Sequence, residues 1–525
     1  MNMPVPRRAP RELPGQILPL VLLGVALIGT NQNFTFLDDE SRIVAAAAQP
    51  VRTTLALFWS GAGQHEHPPL YDLLLHIWLR ITGGAFEYLR VFPILFYLAG
   101  LFLLGRAARR LGGADSAVAV VWIGVFWPYG FLYGRIAAWY SFSFFLVAGL
   151  TLAYLRYLEE PDRARWIWLL ILGSCLLWTN YFAWAILACL VVDLLLRRRA
   201  HEGTGKLADL LRLAVLFGLA FLPLLPAFRS ELRENLHLEK SPLGIIATAA
   251  FNVYSFFVSE AMAPWHWPLS IPAGLAALAC MGLVALFVPR TARRFLLYAG
   301  LCVTVMALTG ILFTKRLLLL APWVLLPIGV AVGTSKTRLS RIGLPLALVV
   351  VAGIGWYGIY SRRFYAAPRF LEPWQARAQE AAGQIRGGAT VVANNPSFFF
   401  YLTYMLRVPD SGQSWKFAGM LPDQVRHPQA MSPEHWLAAG HPFTPSMIWV
   451  RGMGGQITGG PIEMAAQELD HACGARTSRL FMRDEGYEWK QRLFPDRDDQ
   501  RWRIEVREYD CSEVASHSIP GSVSP

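Results

Sequence analysis

The sequence predicts a mainly α, polytopic transmembrane helical bundle of about eleven spans, with juxtamembrane helices in the first external loop and a small C-terminal α/β extracytoplasmic domain. Three observations predict it. Of 525 residues, 54% are hydrophobic and only 16% are charged, where a soluble chain carries about 25% charged residues. The apolar residues come in blocks of membrane-spanning length rather than in alternation. The arginine clusters sit in short loops between those blocks, where basic residues set topology.

Apolar runs give approximate spans at 13–30, 88–105, 116–133, 139–157, 166–179, 181–196, 207–226, 269–288, 295–313, 317–333 and 342–360. The first follows Arg7, Arg8 and Arg11 in the manner of a signal peptide, but no small-residue cleavage site comes after it, so it reads as a retained span. Parity then puts Arg106/Arg109/Arg110, Arg163/Arg165, Arg197/Arg198/Arg199, Arg290/Arg293/Arg294 and Lys336/Arg338/Arg341 on the N-terminal, cytoplasmic side. Counting 244–258 as a span breaks this pattern, and the segment reads instead as an interfacial helix outside. The chain divides into a membrane domain, 1–360, and an extracytoplasmic domain, 361–525.

The net charge of +12 belongs to those loop clusters. No basic stripe interleaved with aromatics appears in a soluble segment, so no nucleic-acid partner is expected. Cys175, Cys189, Cys280 and Cys302 lie in apolar blocks as small packing residues. Cys473 and Cys511 stand alone in the polar tail, where an oxidising compartment permits a disulfide. In that tail, Trp374 to Ile385 reads as an amphipathic helix, and 390–393, 446–450 and 502–509 as short strands. Gly452-Met453-Gly454-Gly455 reads as a turn rather than a phosphate loop.

The first external loop, 31–87, holds the chemistry. Asp38, Asp39 and Glu40 follow Phe36-Leu37 just past the first span. They read equally as a cap for a helix from Ser41 to Ala48 and as a functional acid cluster at the membrane edge. His65-Glu66-His67-Pro68-Pro69-Leu70-Tyr71 comes next; two histidines two residues apart are a weak metal signal. The prolines lead into a juxtamembrane helix, Leu70 to Thr82, punctuated by Asp72, His76 and Arg80.

The order of motifs resembles the glycosyltransferase C superfamily, in particular the family of protein O-mannosyltransferases and aminoarabinose transferases. The matching pieces are Leu37-Asp38-Asp39-Glu40-Ser41, His67-Pro68-Pro69-Leu70-Tyr71, Glu87-Tyr88-Leu89-Arg90-Val91-Phe92-Pro93, Trp139-Tyr140-Ser141-Phe142, Thr179-Asn180-Tyr181-Phe182-Ala183 and Phe313-Thr314-Lys315-Arg316-Leu317. They run from about residue 15 to 360, with weaker similarity through 374–392. The resemblance implies a polyprenyl-phosphate-linked sugar as donor, transfer on the extracytoplasmic face of a bacterial inner membrane, and catalytic roles for Asp39 and Glu40, with Asp38 as an extra acid. His65, His67, Arg135, Lys315 and Arg316 become candidates for the donor phosphate, and Glu66 and Tyr71 for supporting roles. For Lys315 and Arg316, snorkelling to the interface is the alternative.

One departure stands out. Aligned on Tyr140-Ser141, relatives carry a glutamate where this chain has Ile136 and an arginine where it has Ala138, leaving Arg135 as the loop's single charge. The expected function is therefore an inverting transferase in which Asp39 activates an acceptor hydroxyl of a saccharide, lipid or protein. No cofactor is expected, although a divalent metal stays open. A transporter of lipid-linked sugars and a non-catalytic membrane scaffold are the alternatives. The absence of a clear internal repeat counts against the transporter.

Overall fold

The computed structural model describes residues 12–60, 67–199, 206–229, 242–366, 370, 371, 373–406, 429–452, 460–481 and 504–517. The chain forms two compact units. The first comprises 1–31, 52–75 and 87–366, and the second 32–51, 76–86 and 367–525. Division by packing thus runs differently from one cut at 360/361, because two pieces of the first loop group with the tail.

In chain order the helices up to residue 221 are α1 (Glu12–Gly29), α2 (Asp38–Ala48), α3 (Val51–Ser60), α4 (Leu70–Ile81), α5 (Phe86–Leu89), α6 (Val91–Gly112), α7 (Ala114–Phe126), α8 (Pro128–Tyr133), α9 (Tyr140–Glu159), α10 (Arg163–Leu177), α11 (Ala183–Arg199) and α12 (Leu207–Phe221). Then follow α13 (Pro242–Val258), α14 (Trp267–Phe287), α15 (Arg290–Leu308), α16 (Ala321–Gly333) and α17 (Arg338–Ser361). Helices lie along the expected spans, with the two departures described below. The helices at α6, α9, α12, α14, α15 and α17 are long and apolar enough to cross a membrane, and α1, α7, α13 and α16 are shorter apolar helices. The chain is a multi-pass membrane protein.

Two expectations need correction. The span read at 116–133 is broken after Phe126: Trp127 is extended (ψ 110°) and Pro128 opens the short α8, because the residue before proline is pushed out of the α region. The run read at 317–333 begins as a 3₁₀ turn, Thr314–Leu319, before α16. Close helix approach is achieved with small residues. A Cβ on Gly329 would come within 2.5 Å of Val120, and one on Gly333 within 2.4 Å of the Ser116 backbone, so α16 meets α7 through a Gly-x-x-x-Gly face.

Contacts within this unit sort the loops into two ends. At one, Arg110 pairs with Glu159, Arg294 with Asp193 at 3.0 Å, and a Cβ on Gly112 would touch Thr334. At the other, Leu70 N–H donates to Trp178 O at 3.0 Å, Ala263 N–H to Phe364 O at 2.6 Å and Ala366 N–H to Glu260 O at 2.8 Å. This is the sorting that the basic clusters predict.

The second unit contains a five-stranded sheet with order β2-β1-β3-β5-β4. Its strands are β1 (Thr390–Ala393), β2 (Ala430–Met431), β3 (Ser446–Gly452), β4 (Gly474–Phe481) and β5 (Ile504–Asp510). β1 pairs in parallel with β2 and β3, whereas β5 runs antiparallel to β3 and β4. Helices α18 (Trp374–Arg386), α19 (Pro396–Leu406), α20 (Pro433–Ala438), α21 (Pro461–Ala472) and α22 (Ser512–His517) complete the α/β domain. Trp436, Met447, Trp449, Ile462, Leu469 and Tyr509 form its core. Cys473 and Cys511 are joined in a disulfide at that core's edge, with Cα atoms 4.8 Å apart. Residues 453–455 of the glycine turn lie outside the described residues.

Candidate functional site

The acidic triplet belongs to the second unit. It does not precede a helix starting at Ser41, as the capping reading has it; it is the first turn of α2, which begins at Asp38. Acids suit this place because the helix N-terminus exposes unsatisfied N–H groups. Glu40 uses its carboxylate structurally: fully buried, its Oε2 accepts from Leu37 N–H at 2.8 Å. Asp39 differs. Its side chain keeps 20% exposure and lies 3.6 Å from Arg42. Asp38's side chain lies outside the described set.

The other candidates belong to the first unit. Arg135, in the turn between α8 and α9, is 1% exposed. Its Nη1 donates to Thr30 Oγ1 at 2.9 Å and Leu27 O at 3.4 Å, its Nε to Phe131 O at 3.1 Å, and its guanidinium lies 4.3 Å from the Phe131 ring. Arg316, on the 3₁₀ turn, is also buried. Its Nη1 donates to Ile311 O at 3.4 Å, and its guanidinium lies 5.0 Å from the Phe313 ring and 5.7 Å from that of Phe182. Snorkelling therefore does not describe Arg316, while Lys315 beside it is half-buried. His67 packs against Trp139 at 4.6 Å between rings, and the buried Tyr71 meets Phe92 and Phe142. His65 and Glu66 lie outside the described residues.

A column of aromatics links the segments that carry Arg316 and Glu260. Trp127, Tyr129 and Tyr133 pack in series with tilted rings, 4.9 and 4.5 Å between centroids. Tyr129 Oη donates to Thr314 O at 2.5 Å, just before Lys315 and Arg316. Tyr133 Oη, two residues before Arg135, donates to Glu260 Oε2 at 2.6 Å. Glu260 is 4% exposed and follows Ser259, whose φ of 73° is unusual for a residue with a Cβ. Sequence reasoning missed Glu260. Its signal was an acid inside the apolar run Val258 to Ala263, but the partner 127 residues away is not legible locally. Asp72 was read only as punctuation of the juxtamembrane helix; in the structure burial pushes its carboxyl up to about 8.

The column borders an apolar groove of about 510 Å³, lined by Trp122, Phe126, Trp127, Phe256, Leu325 and Trp356 among others. Its lining is apolar and aromatic throughout, which in a bilayer suits a hydrocarbon chain.

No protein-family model matches the chain, and no curated protein matches it. Solved structures do. ArnT from Cupriavidus metallidurans bound to undecaprenyl phosphate aligns over 94% of this chain and 98% of its own, at 13% identity and a TM-score of 0.50. The same enzyme in the apo state aligns over 97% of this chain and 100% of its own, at 13% identity and a TM-score of 0.52. The ordered motifs implied a fold of this kind, and over nearly its whole length this chain has the fold of ArnT.

Proposed function

We propose that the protein is an integral membrane glycosyltransferase that moves a sugar from a polyprenyl-phosphate donor to an acceptor hydroxyl on the extracytoplasmic face. The observation that carries this reading is the fold shared along nearly the whole chain with an ArnT solved with undecaprenyl phosphate. The partly exposed Asp39 supplies the base. Its carboxylate takes the acceptor's proton as the acceptor oxygen bonds to the anomeric carbon, and the bond from that carbon to the phosphate oxygen breaks with its electron pair. Attack opposite the leaving group inverts the centre. Arg135 and Arg316, with Lys315 and His67 in support, stabilise the charge that grows on the departing lipid phosphate. The apolar groove takes part of the polyprenyl chain.

The same orientation is favoured by the basic clusters at one end of the bundle and by the Cys473–Cys511 disulfide of the tail domain, which suits an oxidising compartment. Transfer of radiolabelled sugar from polyprenyl phosphate by the purified protein in nanodiscs tests the proposal. Asp39→Asn is expected to lower turnover by about 10²–10⁴-fold; equal transfer by that variant rejects Asp39 as the base. A protein that transfers nothing but carries the lipid-linked sugar across a proteoliposome bilayer is a transporter instead.

A further inference from the structure

Helix α2 is poorly able to hold its own place. It is 11 residues long, short of what an isolated helix needs to be stable in water. Its N-cap position is Leu37, a side chain with no oxygen to accept from the first turn. Within the helix Glu40 Oε2 accepts from Leu37 N–H at 2.8 Å, and the further contacts that hold that turn come largely from the C-terminal domain of the same unit. The ring of Phe36 stacks on Phe400 of α19, 4.3 Å between centroids and 11° between planes. Phe36 N–H donates to Tyr401 Oη at 2.8 Å, and Thr35 N–H donates to Phe370 O at 2.9 Å. Phe86 closes the cluster at 5.5 Å from Phe36 and 5.6 Å from Phe400. At the far end of α2, His76 Nδ1 lies 2.8 Å from Ala47 O. Phe36, Phe400 and Tyr401 are all buried, while Asp39, three residues from the stack, keeps its exposure.

We propose that Phe400 and Tyr401 are positioning residues of the transfer reaction: the C-terminal domain holds the first turn of α2 and so sets where the Asp39 carboxylate points. The proposal rests on the reading of Asp39 as base. It makes the tail domain a working part of the site rather than an appended module.

The full-length protein in lipid nanodiscs, as wild type, Tyr401→Phe, Phe400→Ala and the control Phe398→Ala, provides the test. Phe398 is equally buried in α19 but packs on Trp374 and Phe399. Loss of one hydrogen bond in Tyr401→Phe is expected to lower kcat about fivefold, and loss of the stack in Phe400→Ala about a hundredfold, with donor KM unchanged. Amide hydrogen exchange over 35–42 speeds up in both variants and stays at the wild-type rate in Phe398→Ala. Unchanged exchange over 35–42 in both, or an equal fall of kcat in the control, overturns the proposal. Should the wild type transfer no sugar, or Asp39→Asn transfer equally well, the base assignment falls, while the exchange measurements still decide whether α19 holds α2.

Discussion

The two ends of the helical bundle both bury charge, and they do so in opposite ways. At the end carrying the arginine clusters, Asp193 of α11 is 2% exposed. It accepts from Tyr154 of α9, from Arg197 of its own helix at 2.7 Å, and from Tyr298 and Arg294 of α15 at 2.5 and 3.0 Å. All four donors sit on regular helices, and the network staples three of them together. At the other end Arg135, Arg316 and Glu260 sit on a turn, a 3₁₀ segment and a loop entered through a left-handed Ser259. Their contacts include backbone carbonyls, hydroxyls and ring faces. Charge saturated from helical positions reads as architecture. Charge held on irregular backbone is the arrangement more often found at functional sites.

The comparison breaks most visibly at Asp193. Asp193→Ala leaves two arginines and two tyrosines without their shared acceptor, and removing one partner of a buried ion pair costs about 3–5 kcal/mol. The expected result is a large fall in thermal unfolding temperature, with transfer per folded molecule unchanged. Arg135→Ala should do the reverse. Turnover from polyprenyl-phosphate sugar falls by about 10²–10³-fold, while unfolding temperature moves less than in the Asp193 variant. If both variants lose stability and activity in the same proportion, the two ends do not differ in kind.

Glu260→Gln sharpens the same contrast. Glutamine keeps the size and an oxygen for Tyr133 Oη but removes the charge. A residue that acts through Tyr133 on the placement of Arg135 is expected to show a loss of about tenfold in kcat/KM. A purely structural acceptor is expected to show none. Steady-state kinetics in nanodiscs, set beside unfolding temperature, separates the two.

Much of this fold was legible because the bilayer enforces length and composition on helices, and most of the apolar blocks that read as spans are single helices. What escaped was decided by local geometry or distant partners. Pro128 splits one span into two helices. β4, with Arg476 and Arg479 at the sheet edge, shows little apolar pattern, and β2 is two residues long. At the site, the acidic triplet was visible as an alternative between cap and catalyst. In the structure the triplet opens α2, with Glu40 accepting from Leu37 N–H and Asp39 partly exposed. Glu260 and the Phe36–Phe400 stack escaped because each is completed from far along the chain, 127 residues away for Tyr133 and Glu260, and no local periodicity reports a pairing of that kind.

An effect confined to stability and its pH dependence concerns Asp72, on α4 beside the loop-rich end. Burial holds its carboxyl up to about 8 against an ordinary 3.8. Below that ordinary value the group is protonated in folded and unfolded chains alike, and its burial costs least. Between about pH 4 and pH 8 the unfolded chain has released the proton and the folded chain still holds it, so stability declines as pH rises, by about 1.4 kcal/mol per unit at most. Above the folded value both states are ionised and the decline stops. Asp72→Asn removes the titration and should flatten this slope, leaving the variant more stable than the wild type at pH 7. The measurement is unfolding temperature of both proteins at pH 5 and pH 7. A wild type that unfolds at the same temperature at both pH values means that Asp72 keeps an ordinary carboxyl, and that this end of the bundle admits water to it.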